Sequence, residues 1–176
     1  MITDVMDIYE LEKFINKKFN YLTKGILFCF GTSFISKIIS AKTRKNANEY
    51  VPTHVALLTG DSIYESTTDG EEIGYKKIRS GVRRWQLKDY IATEKNKLTK
   101  YVYVDWDWDT LEADEYIHLP YGKDTILDFL LKDGSDGDSH GLICSQYANI
   151  CARILPKKKC PNPAELYREV LKKYAK

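Results

Sequence analysis

Covalent catalysis by a thiol needs the thiol, a base to take its proton, and a group that holds the base in one orientation. Cys144, His54 and Glu65 suit these roles by type and by setting. Cys144 follows a Gly-, Asp- and Ser-rich stretch, 133–141. It precedes a segment in which Tyr147, Ala148, Cys151, Ile154 and Leu155 recur on one helical face. The cysteine therefore falls at a helix start, turned toward the protein. Unpaired N–H groups and the positive end of the helix dipole favour a thiolate there. The same N–H groups could bind a developing oxyanion. The competing reading is simple packing, because cysteine is among the most buried residue types. That reading is adopted for Cys29, in an apolar run, and for Cys151, in mid-helix.

His54 and Glu65 lie in the most legible stretch of the chain. Thr53–Thr59 and Ser62–Ser66 are rich in strand formers, and Gly60-Asp61 between them predicts a type II′ hairpin. Opposite residues are then Thr59 and Ser62, Leu58 and Ile63, Ala56 and Glu65, His54 and Thr67. His54 and Glu65 become diagonal neighbours on one face, with Cβ atoms roughly 5–8 Å apart. The carboxylate can hold one ring nitrogen and leave the other to accept a proton. A one-residue change in the turn would put the two on opposite faces and leave a solvated pair.

Other candidates compete less well. His140, just before Cys144, is the rival base, but its loop fixes no carboxylate beside it. His118, ahead of Leu119-Pro120, reads as a turn residue. Asp133, Asp136 and Asp138 lack EF-hand spacing, and the place of the loop's closing Glu is taken by Cys144. Asp105, Asp107 and Asp109 alternate with tryptophan and read as a solvated strand face. The four cysteines, Cys29, Cys144, Cys151 and Cys160, include no CxxC pair. Cys144 and Cys151 stand two helical turns apart, about 10 Å, too far for a bridge. No metal and no cofactor is expected.

The elements that must position these residues follow from periodicity. Helices are predicted at 7–19, 33–41, 87–91, 121–131, 143–155 and, opened by Pro163, 163–174. Strands are predicted at 25–30, 53–59, 62–66 and 100–108. In the last of these, Val102, Val104, Trp106 and Trp108 face one way and Tyr101, Tyr103, Asp105 and Asp107 the other, as in a half-buried strand. Residues 42–50, 67–72 and 133–141 read as loops. The outcome is an α+β chain, a central antiparallel sheet with helices at both ends, taken as one domain over 1–176.

Bulk properties narrow the function classes. Apolar residues make up 43% and charged residues 30%, enough for a packed core. With 27 basic against 25 acidic residues the net charge is +2, which excludes a general polyanion binder. The first twenty residues carry Asp4, Asp7, Glu10 and Glu12, unlike a signal peptide. No run is long and apolar enough for a membrane span. A cytoplasmic location is expected.

The run Thr53-His54-Val-Ala-Leu-Leu-Thr-Gly-Asp-Ser-Ile-Tyr-Glu65-Ser, with Ile143-Cys144-Ser-Gln-Tyr-Ala late in the chain, resembles the permuted branch of the NlpC/P60 papain-like superfamily. More narrowly, it is similar to the YiiX/YaeF-type group. Gly81-Val82 ahead of Leu87-Lys88-Asp89-Tyr90, Tyr121 opening a helix, and Pro161-Asn162-Pro163 are supporting echoes, and the resemblance spans about residues 22–170. It implies a circularly permuted papain-like fold, with Cys144 attacking a carbonyl, His54 as base and Glu65 orienting it. The implied activities are those of a cysteine peptidase, amidase or acyl-transfer enzyme. The substrate is left open by the sequence, among a small peptide, an amide, a lipid ester and a modified protein. The chain departs from the family at Lys24-Gly25-Ile26, where the family has Gly-Asp before its first strand.

A different class of function rests on residues 75–88. There Lys76, Lys77, Arg79, Arg83, Arg84 and Lys88 accompany Tyr75 and Trp85. Such a segment on the same fold could bind lipid head groups or nucleic acid without turnover. A solvated face balanced by acidic residues elsewhere is the plainer account, and nucleic acid is not the expected partner.

Overall fold

The computed structural model describes the chain except for Tyr21, residues 69–70 and 74–75, Arg79, residues 123–140, Lys159 and Lys176. For 34–35, 71–73 and 76–78 the backbone alone is described. A five-stranded antiparallel sheet runs in the order β6-β3-β2-β1-β7. Its strands are β1 (Lys24–Phe30), β2 (His54–Thr59), β3 (Ser62–Thr67), β6 (Gly81–Gln86) and β7 (Lys100–Asp105). A separate hairpin, β4 (Glu71–Ile73) and β5 (Lys76–Ile78), precedes β6. Six helices lie among the described residues: α1 (Ile8–Lys18), α2 (Phe34–Thr43), α3 (Leu87–Glu94), α4 (Thr110–Glu115), α5 (Cys144–Ala152) and α6 (Pro163–Tyr174). None is long and apolar enough to cross a membrane.

β1 is an interior strand because nearly every residue in it is apolar, and from Gly25 to Phe30 it is buried on both faces. Its alternate residues feed two cores. Ile26, Phe28 and Phe30 join Val55, Leu57, Val102 and Val104 under α5 and α6. Leu27 and Cys29 join Ala56, Leu58, Ile63, Tyr101 and Tyr103 under α1 and α3. Helix starts carry side-chain caps where the sequence supplies them. Asp7 forms a capping box with Glu10, and Asn162 forms one with Glu165 ahead of Pro163.

The β2–β3 hairpin has the predicted register, with Thr59 opposite Ser62 and Leu57 opposite Tyr64. Gly60 takes φ 52° while Asp61 stays at negative φ, as the first and second positions of a type II′ turn require.

Several expectations need correction. β7 is not half-buried, and it ends at Asp105. Its Tyr101 and Tyr103 side is covered by α1 and by the N-terminal segment, whose Thr3 and Met6 N–H groups bond to Tyr103 and Tyr101 carbonyls. Asp105 pairs with the N-terminal ammonium, Asp107 with Lys24, and Asp109 caps α4, so the three do not form a solvated strand face. β4, β5, β6 and α4 were not anticipated. In β6 the mixture of arginine and tryptophan masks strand alternation. The helix expected at 143–155 stops at Ala152, where Arg153 turns left-handed at φ 49°. The helix expected at 121–131 falls outside the described residues, apart from Tyr121 and Gly122. Tyr121 makes a β-bridge to Leu142.

Candidate active site

β2 and β3 pair only from the turn to Leu57 and Tyr64, although both run on to His54 and Thr67. Beyond that point the strands part. His54 and Glu65 belong to the face that carries Ala56, Leu58 and Ile63, whereas Cys144 packs with the opposite core. α5 lies across β2 and β3, and its first residue reaches His54 where the two strands separate. The nucleophile candidate thus comes from one side of the sheet and the base candidate from the other.

The His54 Nε2–H donates to Glu65 Oε2 at 2.7 Å. That bond holds the ring and leaves Nδ1 as the nitrogen available to Cys144. Burial pushes the His54 pKa down. The charge and hydrogen bonding of Cys144, followed by those of Glu65, outweigh it and raise the value to about 10. The raised value makes the ring a stronger base than a free imidazole. Its side chain keeps 25% of its surface exposed, so the site is reachable from solvent.

Glu65 is 3% exposed. Burial pushes its carboxyl up, but the bonds and charges of His54 and Arg83 hold it down at about 2. Arg83 Nε and Nη2 both donate to Glu65 Oε1, at 2.9 and 2.6 Å. The arginine stacks over the Trp85 ring, 4.3 Å from its centroid, and stands directly opposite Glu65 in the β3–β6 ladder. One carboxylate oxygen is thus committed to Arg83 and the other to His54. A charge buried this deeply is tolerated only with such partners.

Arg83 is the site residue that sequence reasoning missed. It was grouped with the surface basic segment, yet it is buried beneath the site. This removes one of the six basic residues from any lipid or nucleic-acid surface there. No local pattern marks it, because arginine and tryptophan share one side of Gly81–Gln86 while valine, arginine and glutamine share the other. Gly81 adopts φ 121°, and a Cβ there would stand 2.3 Å from the Leu119 carbonyl oxygen, so glycine is required where β6 begins.

Ile143 offers no side-chain cap to α5, and Gln146 Oε1 instead accepts the Ile143 N–H at 3.1 Å. Cys144, His54 and Glu65 line a cleft of about 730 Å³. The cleft extends past Thr67 and Thr68 on one side, Tyr90 and Glu94 on another, and Cys160 and Pro161 on a third. The remaining thiols divide by environment. Burial pushes Cys29 well up and Cys151 to about 12, as expected of packed residues. Cys160 is half-buried at the cleft wall. His118 sits in a turn at φ 78°, its N–H bonded to the Val82 carbonyl. His140, Asp133, Asp136 and Asp138 lie outside the described residues. Among the described residues, no group of three or more His, Cys, Asp or Glu side chains is arranged to hold a metal.

No family model, no curated protein and no solved structure matches this chain.

Proposed function

We propose that the chain is a cysteine hydrolase, a peptidase, amidase or acyl-ester hydrolase, with Cys144 as nucleophile, His54 as base and Glu65 as the orienting carboxylate. The observation that carries this is the 2.7 Å bond from His54 Nε2 to a buried Glu65, with the other ring nitrogen left to a cysteine at a helix start. The sheet order, the α5 helix laid across β2 and β3, and the chain order His, Glu, Cys support a permuted papain-like arrangement. The substrate in this reading is a small peptide, an amide or a lipid ester, and no cofactor takes part.

In this mechanism His54 takes the Cys144 proton, and the sulfur attacks the substrate carbonyl carbon. The carbonyl π electrons move to oxygen, which faces the first N–H groups of α5. The imidazolium then protonates the leaving amine or alkoxide as the tetrahedral centre collapses to a thioester. Water, deprotonated by the same ring, cleaves that thioester and restores the thiol. Glu65 stays ionised throughout, because Arg83 and His54 both stabilise its charge.

The test is iodoacetamide alkylation across pH, mapped by mass spectrometry. Cys144 should label rapidly at pH 6, where an ordinary thiol is almost wholly protonated. His54→Ala should slow that labelling by about 10²-fold. Glutathione serves as the reference thiol. Cys144 labelling no faster than glutathione would overturn the proposal. Amide and ester libraries, with Cys144→Ala as the blank, then identify the bond cleaved.

A further inference from the structure

Ser145, directly after the nucleophile, is 0% exposed, and its hydroxyl has no hydrogen-bond partner among the described residues. Such a group is costly in a folded protein unless something meets it. It lines the same cleft as Cys144, at the start of the nine-residue helix α5, which lacks a side-chain cap. A buried hydroxyl at a helix N-terminus favours an acceptor, and an anionic acceptor most of all.

The rest of the cleft agrees in sign. Its described charged side chains balance: Glu65 is engaged by Arg83 and His54, and Glu94 by Lys97 at 2.7 Å. The unbalanced contribution comes from backbone. Two further caps line the cleft, Ser33 of α2 and Asn162 of α6, but each accepts an N–H of its own helix, and Glu165 adds a carboxylate in the first turn of α6. The α5 N-terminus, without a side-chain cap, supplies the positive end of its dipole.

We infer that the cleft binds a substrate carrying an anionic group, a carboxylate or phosphate, beside the carbonyl under attack, with the Ser145 hydroxyl as its donor in the field of the α5 N-terminus. This deepens the hydrolase reading by naming a substrate class, and it rests on that reading for what happens to the substrate after binding. An oxyanion formed in the reaction would meet the backbone N–H groups of α5. The hydroxyl of Ser145 is an additional donor, available to a charge already present in the bound substrate.

The experiment compares two alkylating agents of nearly equal size on the full chain, anionic iodoacetate and neutral iodoacetamide. The ratio of their rate constants at Cys144 is divided by the same ratio for glutathione at equal pH and ionic strength. The expected normalised ratio is about ten, from the field of the α5 helix end and the Ser145 hydroxyl. It should fall several-fold in Ser145→Ala and stay above one in His54→Ala, which removes the imidazolium as a source of attraction. Inorganic phosphate should protect wild-type Cys144 more than chloride at the same ionic strength.

A ratio of one or less, or a ratio that collapses to one in His54→Ala, overturns the anion site, as does equal protection by phosphate and chloride. These outcomes are separate from the nucleophile test. Slow iodoacetamide labelling with a high ratio would sink the hydrolase reading and leave the anion site standing. Fast labelling with a ratio of one would do the reverse.

Discussion

The two faces of the sheet are built on different principles. One face, Ile26, Phe28, Val55, Leu57, Val102 and Val104 against α5 and α6, is hydrocarbon and aromatic ring almost throughout. The other, under α1 and α3, intersperses apolar residues with buried polar groups. Tyr101 donates to Glu94 at 2.7 Å, Cys29 lies 3.8 Å from the Tyr90 hydroxyl, and Glu65 is fixed between His54 and Arg83. The apolar face gives the sheet its stability and carries the helix of Cys144. The second face holds ionised groups, and each of those needs a designated partner. Splitting the proposed site between the faces lets an imidazole held by a buried carboxylate meet a thiol whose own surroundings are apolar.

The sharpest way to break this contrast is Arg83→Met. It strands the Glu65 charge in the interior and should cost about 3–5 kcal/mol in denaturant unfolding. It should also slow Cys144 alkylation, because Glu65 is then held only by His54. Adding Glu65→Gln should recover most of the stability and none of the labelling rate. A loss below about 1 kcal/mol would mean that the pair behaves like a surface ion pair, and the two faces would then not differ in kind.

Acid unfolding gives the next largest effect. The folded Glu65 value, about 2, lies below its ordinary 4.5. Its contribution is therefore complete above pH 4.5 and is lost as pH falls through about 2, a linkage of about 3 kcal/mol. His54 runs the other way. Raised from 6.5 to about 10, it contributes fully below pH 6.5 and loses that contribution as pH climbs through about 10. Glu65→Gln should flatten the acid limb of a stability–pH curve, and an unchanged limb would show that the buried carboxylate is not its source.

A smaller effect is expected at Tyr101→Phe, which leaves Glu94 with the Lys97 bond but without the phenol. The cost should be about 1–3 kcal/mol by denaturant midpoint, with Cys144 labelling unchanged. A change in labelling would tie the second polar cluster to the site. Smallest of all, Ile26→Val on the apolar face should cost about 1 kcal/mol and leave the alkylation profile untouched.

The legible parts of the chain were those governed by local rules. A Gly-first two-residue turn set the β2–β3 register, and that register put His54 and Glu65 on one face. A Gly- and Asp-rich stretch followed by helical apolar spacing put Cys144 at a helix start. The capped helices at both ends, Asp7 to Lys18 and Asn162 to Tyr174, were equally readable. The misses share one feature, a dependence on partners remote in sequence. Tyr101 and Tyr103 looked like a wet strand face until α1 and the N-terminal segment covered them. Arg83 looked like a surface cation until β6 paired with β3 and set it opposite Glu65.

By itself, the sequence determined which residues had the chemistry, because side-chain type, turn length and helix start act over a few neighbouring positions. Only the tertiary structure decided how they meet. Strand separation beyond Leu57 and Tyr64, the α5 helix laid across that opening, and the burial that makes Arg83 a partner for Glu65 all involve segments far apart in the chain. Their energies come from packing, desolvation and pairing, which no local pattern records.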